Sequence, residues 1–387
     1  MRHPRRHAFL PFLALLGCAG NAGAPPAVEG AARPFAVQEI AGFDEPWAMT
    51  FMPDGQRALI TEKKGKLKLW RVGTSEITDV TGVPEVAYGG QGGLGDVVLH
   101  PKFGQNGLVY LSWVEAGPDG TRGAVVGRGR LLAVSAAKPG APAGYQLDGL
   151  QVIWRQSPKQ DGQGHYSHRI AFGPDGKLYI SSGERQEFDP AQDPNANLGR
   201  VVRLNDDGSV PADNPWASRG GVGAQAFTMG NRNVLGLAFA PDGRLWGAEM
   251  GPRGGDELNR IERGSNYGYP IVSDGDHYDG RSIPDHVTRP EFNAPEIVWT
   301  PVISPSSMIF YTGGAFPQWR GNALIGGLSA QGLVRVQIDG DRAREVERYD
   351  LGARIREVEQ GPDGAVYLLE DQRGDSRGRL LKLVPAR

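Results

Sequence analysis

A chain of 387 residues is long enough for one large β domain or two to three average ones, and an apolar share of 39% supplies ample core and argues against disorder. Forty-two Lys and Arg nearly balance 44 Asp and Glu, which excludes a nucleic-acid binder by bulk charge. Fifty-seven Gly and 29 Pro exceed ordinary usage and predict many short strands divided by turns.

The chain opens as a secretory leader does: basic MRHPRRHAF, apolar LPFLALL, then GCAG. The apolar run is too short to span a bilayer. LLGC also resembles the bacterial lipoprotein signal, which predicts a leader over 1–17, acylation at Cys18 and a flexible linker over 18–33. The leader carries Arg2, Arg5 and Arg6 and no acid, so its removal takes Lys and Arg from 42 to 39 against 44 acids, a formal −5. Cys18 is the sole cysteine, and no internal disulfide can form. The expectation is an exported, periplasmic or cell-envelope lipoprotein that touches the membrane only through its lipid.

From residue 34 onward one phrase recurs: a strand, a Pro/Gly turn, and a second strand rich in aromatic or apolar residues. It reads AMTFMPDGQRALITEKKGKLKLW from Ala48, DVVLHPKFGQNGLVYLSW from Asp96, RIAFGPDGKLYISSGER from Arg169 and GLAFAPDGRLWGAEMG from Gly236. A looser copy starts at Ser307, and EVEQGPDGAVYLLED starts at Glu357. The turn prolines Pro53, Pro101, Pro174, Pro241, Pro317 and Pro362 recur at a mean interval of about 62 residues, slightly more than a four-stranded propeller blade takes. Helical periodicity is absent. The prediction is an all-β, six-bladed β-propeller of four-stranded antiparallel blades over 34–387. FAVQEI near the start and RLLKLV at the end would complete one blade together and close the ring.

Propellers carry function on the loops at the mouth of the central channel. The segments before the repeated hairpins hold Gln91, His165, Arg232, Asn233, Arg354 and Arg356. Arg354 and Arg356, two apart on a strand, share a face; they suit either a solvated surface or a grip on a carboxylate-rich ligand. GQGGLG (90–95) matches a dinucleotide fingerprint but leads into a strand rather than a helix, which removes that reading. His165 and His168 should face opposite sides of a strand, against joint metal ligation. No G-x-S-x-G elbow is present.

The phrases GQGGLGDVVLHPKF, HYSHRIAFGPDGKLYISSGER, MGNRNVLGLAFAPDGRLW, EMGPRGGDELNRIERGSNYGYP and ARIREVEQGPDGAVYLLED resemble the soluble, calcium-dependent pyrroloquinoline quinone (PQQ) aldose sugar dehydrogenases, which are six-bladed propellers. The likeness runs from about Pro46 to the C-terminus. It implies oxidation of an aldose at C1 to a lactone, with hydride passing to the quinone and electrons to an external acceptor. His165 would be the general base, with Gln91, Arg232, Asn233, Tyr278, Arg354 and Arg356 at the cofactor. Carbonyls of Gly251 and Pro252 would hold the cofactor calcium, and Glu257 with the backbone of Tyr267 a further one. Two positions depart from the pattern: Ser329 stands where the family often has a lysine near the quinone, and Asn231 where it has a histidine. Two other classes remain open. A calcium-dependent propeller lactonase would need acids rather than arginines around its metal. A non-catalytic sugar-binding propeller would have lost its cofactor. Sugar identity, acceptor and the choice between monomer and homodimer are not encoded in these motifs.

Overall fold

The computed structural model describes residues 33–135 and 144–386; the leader, Cys18 and the linker up to residue 32 lie outside them. Six short strands form the inner ring: Pro46–Phe51, Leu94–Leu99, Ser167–Phe172, Val234–Phe239, Pro305–Phe310 and Ile355–Gln360. Each packs beside the next, and the sixth beside the first, so the ring is closed. They start blades 1 to 6 in chain order, and all six turn prolines lie between an inner strand and the strand that follows it.

The strand Phe35–Gly42 pairs with Arg379–Pro385, so the last blade is built from both ends of the described chain, as FAVQEI and RLLKLV predict. Blades 1 and 2 are also joined at their outer edges, where Val80 and Thr81 pair in parallel with Tyr145 and Gln146. Five blades have four strands, whereas the third has three: Ser167–Phe172, Leu178–Ser182 and Arg200–Leu204. Its outer position is reduced to a single bridge between Val202 and Ala226. The intervening segment is rich in Pro, Gly and Asp, which cannot sustain a ladder. Asn214 holds it instead, donating from Nδ2 to the carbonyls of Arg203 and Ala224 at 2.9 Å each.

The apolar faces explain the radial arrangement. Six major hydrophobic clusters each lie between two neighbouring blades, such as Trp47, Leu59 and Leu69 against Val97, Leu111 and Val125. A sheet with two apolar faces is buried only when another sheet stands on each side, and a closed ring supplies both.

The axis is polar, and one side chain organises it. Arg169, on the inner strand of blade 3, is 5% exposed. Its Nε donates to Leu235 O of blade 4 at 2.9 Å and its Nη2 to Ser306 O of blade 5 at 2.6 Å. Its Nη1 lies 3.4 Å from Asp96 of blade 2 and 2.6 Å from Glu357 of blade 6. The guanidinium stacks 4.0 Å above the Trp47 ring of blade 1. One cation therefore touches every other blade.

His168 lies beside it, 2% exposed, stacked on Trp47 with centroids 5.1 Å apart and Nδ1 2.7 Å from Ser112 Oγ. Burial, and then the neighbouring Arg169 charge, push its pKa down to about 3.

Replacing Arg169 by Met should leave Asp96 and Glu357 buried without their cation and cost about 3 kcal/mol or more in urea unfolding; a loss under about 1 kcal/mol would contradict the axial role. The folded pKa of His168 lies below its unfolded value, so its contribution to stability is complete above about pH 6.5 and is lost as pH falls toward the folded value. The His168→Gln protein should show a flatter decline of unfolding free energy between about pH 6.5 and 4 than the unsubstituted protein. Parallel curves would refute the neutral, buried histidine.

Candidate active site

The backbone at the start of each inner strand is irregular in the same way. Pairing with the second strand slips between Pro46 and Met49, Leu94 and Val97, Ser167 and Ile170, Val234 and Gly236, Pro305 and Ser307, and Ile355 and Glu357. Such bulges re-aim side chains. On blade 3 the effect is strongest: His165, Ser167 and His168 have φ of 48°, 55° and 58°. The two histidines part company here through left-handed backbone rather than through the alternation of a regular strand. His168 turns to Ser112, and His165 turns to Glu184.

A cavity of about 400 Å³ opens at this end of the ring, a volume suited to a small planar ligand. Gln91, Arg354 and Arg356 line it, with Tyr166, Ser167 and Met250. Arg354 and Arg356 share one face as their spacing predicts, and both reach Asp371 Oδ2, at 3.4 and 2.8 Å. Burial, with the Arg169 and Arg354 charges and against the pull of Asp371, leaves Arg356 below the usual guanidinium range. Burial opposes ionisation of Asp371, but Arg356 and Arg354 hold it below the usual carboxylate range.

His165 flanks this lining. Its amide donates to Gln91 Oε1 at 2.8 Å, and its ring Nδ1 bonds to Glu184 Oε1. A carboxylate only accepts, so Nδ1 carries the proton and Nε2 keeps its lone pair in the neutral ring. Burial and the Arg232 charge lower the imidazole pKa, against the pull of Glu184. Burial likewise opposes the Glu184 charge, yet His165 keeps that carboxyl below its ordinary value.

Arg232, from blade 4, is 5% exposed and adjoins the cavity through Met250. Its Nη1 donates to the carbonyls of Met250 (2.8 Å) and Gly251, so these two oxygens converge on a single cation. Tyr269 and Tyr278 cover its guanidinium at 5.7 and 5.9 Å; Tyr278 is 71% exposed and forms the outer rim. Asn233 is fully buried and sits behind the wall, accepting from Ser167 Oγ at 2.9 Å. Asn231 supports the same turn, donating to Glu249 at 3.0 Å.

Gly251, Pro252, Glu257 and Tyr267 gather around a second, much smaller space next to Arg232. Ligand atoms of Glu257, Asp274 and His286 lie within 4.8 Å of one another there. The Tyr267 carbonyl is engaged by His286 Nε2 at 3.1 Å, while His286 Nδ1 meets Asp274 at 2.7 Å. Burial opposes the charged ring, but Asp274 and Glu257 hold His286 above the usual histidine range. Burial, followed by the Glu249 charge, pushes Glu257 up to about 8.

Glu184, Asp371 and Lys63, which also lines the cavity, escape a motif search. Yet the repeated phrase holds a signal for the acids. Glu62, Glu249 and Glu370 end the second strands of blades 1, 4 and 6, and Glu184 stands just past the end of that strand on blade 3. Glu184 meets the ring of His165, and Glu249 the amide of Arg232 at 2.6 Å. On blades 3 and 4 the acid at this recurring place fixes the mouth residue of its own blade.

With this geometry in view, comparison with known proteins is informative. The glucose/sorbosone dehydrogenase family matches residues 43–382. The aldose sugar dehydrogenase YliI of Escherichia coli is 38% identical over 349 residues, covering 88% of this chain and 90% of that protein. The crystal structure of the soluble aldose sugar dehydrogenase of Escherichia coli in its apo form superposes with a TM-score of 0.82 at 37% identity, over 91% of this chain and all (100%) of that one. The PQQ-bound aldose sugar dehydrogenase of Streptomyces coelicolor gives a TM-score of 0.71 at 26% identity, over 93% of this chain and 99% of that one. The chain therefore belongs to the glucose/sorbosone dehydrogenase family of sugar oxidoreductases.

Proposed function

We propose that the protein oxidises aldose sugars at C1 to lactones, using PQQ and calcium, and passes the electrons to an external acceptor. One observation carries this reading: a base held by a carboxylate stands beside a cavity, and arginines in and next to that cavity still have donors to give. Arg232 Nε and Arg354 Nε are buried and have no partner among the described residues. A planar guest bearing several carboxylates suits such a set of side chains, since guanidinium donors match carboxylate oxygens. The carbonyls of Gly251 and Pro252, on the small space beside Arg232, would offer the hard oxygen ligands calcium prefers. The PQQ-bound form of the Streptomyces coelicolor relative supports the choice of quinone.

Held by Arg354, Arg356 and Arg232, the quinone would supply the two-electron acceptor for the hydride lost from the sugar's C1. His165 Nε2 removes the proton of the C1 hydroxyl, and Glu184 fixes the tautomer and stabilises the imidazolium that results. Arg354, Arg356 and Arg232 balance the negative charge gathered in the cavity. Gln91 orients the His165 backbone through its amide. The basic, apolar and cysteine-bearing leader supports export and a lipid tether at Cys18 as part of the same proposal.

Loaded with PQQ and Ca²⁺, the protein should reduce a dye with glucose or other aldoses, and His165→Ala should lower turnover about 10³-fold, within the range of a lost general base. Unchanged turnover would end the assignment. Because the His165 pKa is depressed, the acid limb of kcat/KM should lie below about pH 6.5; a limb above that value would contradict it. Glu184→Gln should reduce kcat about a hundredfold with little change in KM, and a change confined to KM would assign Glu184 to sugar binding instead.

A further inference from the structure

Charge in the large cavity is unevenly distributed. Lys63, Arg354, Arg356 and Arg373 line it together with the acids Glu45 and Asp371. Asp371 is committed to the two arginines of its own blade. Blade 5 contributes Ser304 and Leu328 to the lining and no cation. Ser329, the position where a lysine was expected, does not line the cavity. Its hydroxyl bonds to the Val302 carbonyl at 3.1 Å and to Ser304 Oγ at 2.9 Å.

Lys63 stands on the opposite flank of blade 6, in the turn after the second strand of blade 1. The main chain fixes it firmly: its amide bonds to Glu45 O at 3.0 Å, and its carbonyl accepts from Leu94 N at 2.9 Å. Its ammonium gives one hydrogen bond, to Gly90 O at 3.0 Å, next to Gln91. Glu45 is 3.8 Å away and accepts from Tyr88 OH through both of its oxygens at 2.8 Å. An ammonium has three donors. One is used, and the nearest carboxylate is shared with a phenol. The side chain is 18% exposed, so this charge is neither solvated like a surface lysine nor locked into a hydrogen-bonded pair. Lys64, next in sequence, shows the contrast: it is 46% exposed and pairs with Asp44 at 2.9 Å.

We propose that Lys63 is a cofactor-binding residue of this chain, supplying from blade 1 the positive partner that Ser329 does not supply from blade 5, and gripping a carboxylate or carbonyl oxygen of the bound anionic quinone. This rests on the PQQ reading above. Burial, and then the Arg356 charge, hold the Lys63 pKa below the usual lysine range, as expected of a cation placed among cations to meet an anion. With Arg354 and Arg356 it lines one cavity at the junction of blades 6 and 1.

The test is an absorption titration of the apo-protein with PQQ at constant Ca²⁺, which reads binding without turnover. Lys63→Met should weaken PQQ binding about tenfold or more, the loss of a charge-assisted hydrogen bond, while Lys63→Arg stays within about threefold of the unsubstituted protein. Lys64→Met serves as a control for net charge and should bind as the unsubstituted protein does. Thermal midpoints without PQQ, equal across the set, would show that the fold is intact. Undiminished binding by Lys63→Met, or equal losses in the Lys63 and Lys64 variants, would overturn the role of Lys63 and leave the cofactor reading standing. Failure of the unsubstituted protein itself to take up PQQ would instead overturn the cofactor reading, and the role of Lys63 with it.

Discussion

A single guanidinium at the axis is the constraint on which the molecule depends. Closing six sheets into a ring forces inner-strand polar groups toward one line, where unpaired charges and carbonyls are costly. Arg169 answers carbonyls of blades 4 and 5, carboxylates of blades 2 and 6 and the indole of blade 1. The six apolar clusters between blades hold the sheets face to face, but they are non-directional. The axial network adds direction, because a planar cation with fixed donors accepts few arrangements of its neighbours.

Once the inner strands are fixed, the mouth follows from local backbone. The recurring bulge at each strand entrance turns the first residues of a blade away from regular alternation and toward the cavity. Acids at or just past the end of the second strand then lock the orientation: Glu184 on blade 3, Glu249 on blade 4 and Asp371 on blade 6. Base and cations so come from separate blades. His165 is held at blade 3, Arg232 enters from blade 4, and Arg354 and Arg356 enter together from blade 6, where both reach Asp371. The site residues cluster at the ends of strands, and the long loop bearing Tyr278 only rims it.

The architecture was readable because hairpin chemistry is local. A Pro/Gly turn between two apolar runs needs no partner to be recognised, and six of them along one chain imply a ring. Closure through both termini was readable from two unpaired strand-like segments. The third blade escaped that logic, since its missing outer strand is replaced by side-chain bonds of Asn214 that no strand pattern announces. The site was readable in part. Arg354 and Arg356 reveal themselves by a spacing of two, and His165 by its place before a hairpin. Glu184 and Lys63 were obscured for opposite reasons. One lies in a generic strand ending, and the other beside Lys64 in a turn that reads as ordinary surface charge. Asn233, singled out by its place before a hairpin, is buried and accepts a hydrogen bond from Ser167.

The central claim is that one cavity at the ring's mouth joins the base of blade 3 to the cations of blades 4, 6 and 1 around a shared planar anion. Diffraction from crystals grown with PQQ and calcium tests this most directly. The account predicts the quinone in the large cavity, its carboxylates against Arg354, Arg356 and Arg232, with His165 Nε2 facing the open space above its ring. Quinone density elsewhere on the protein, or an arginine set that leaves it untouched, would contradict the account.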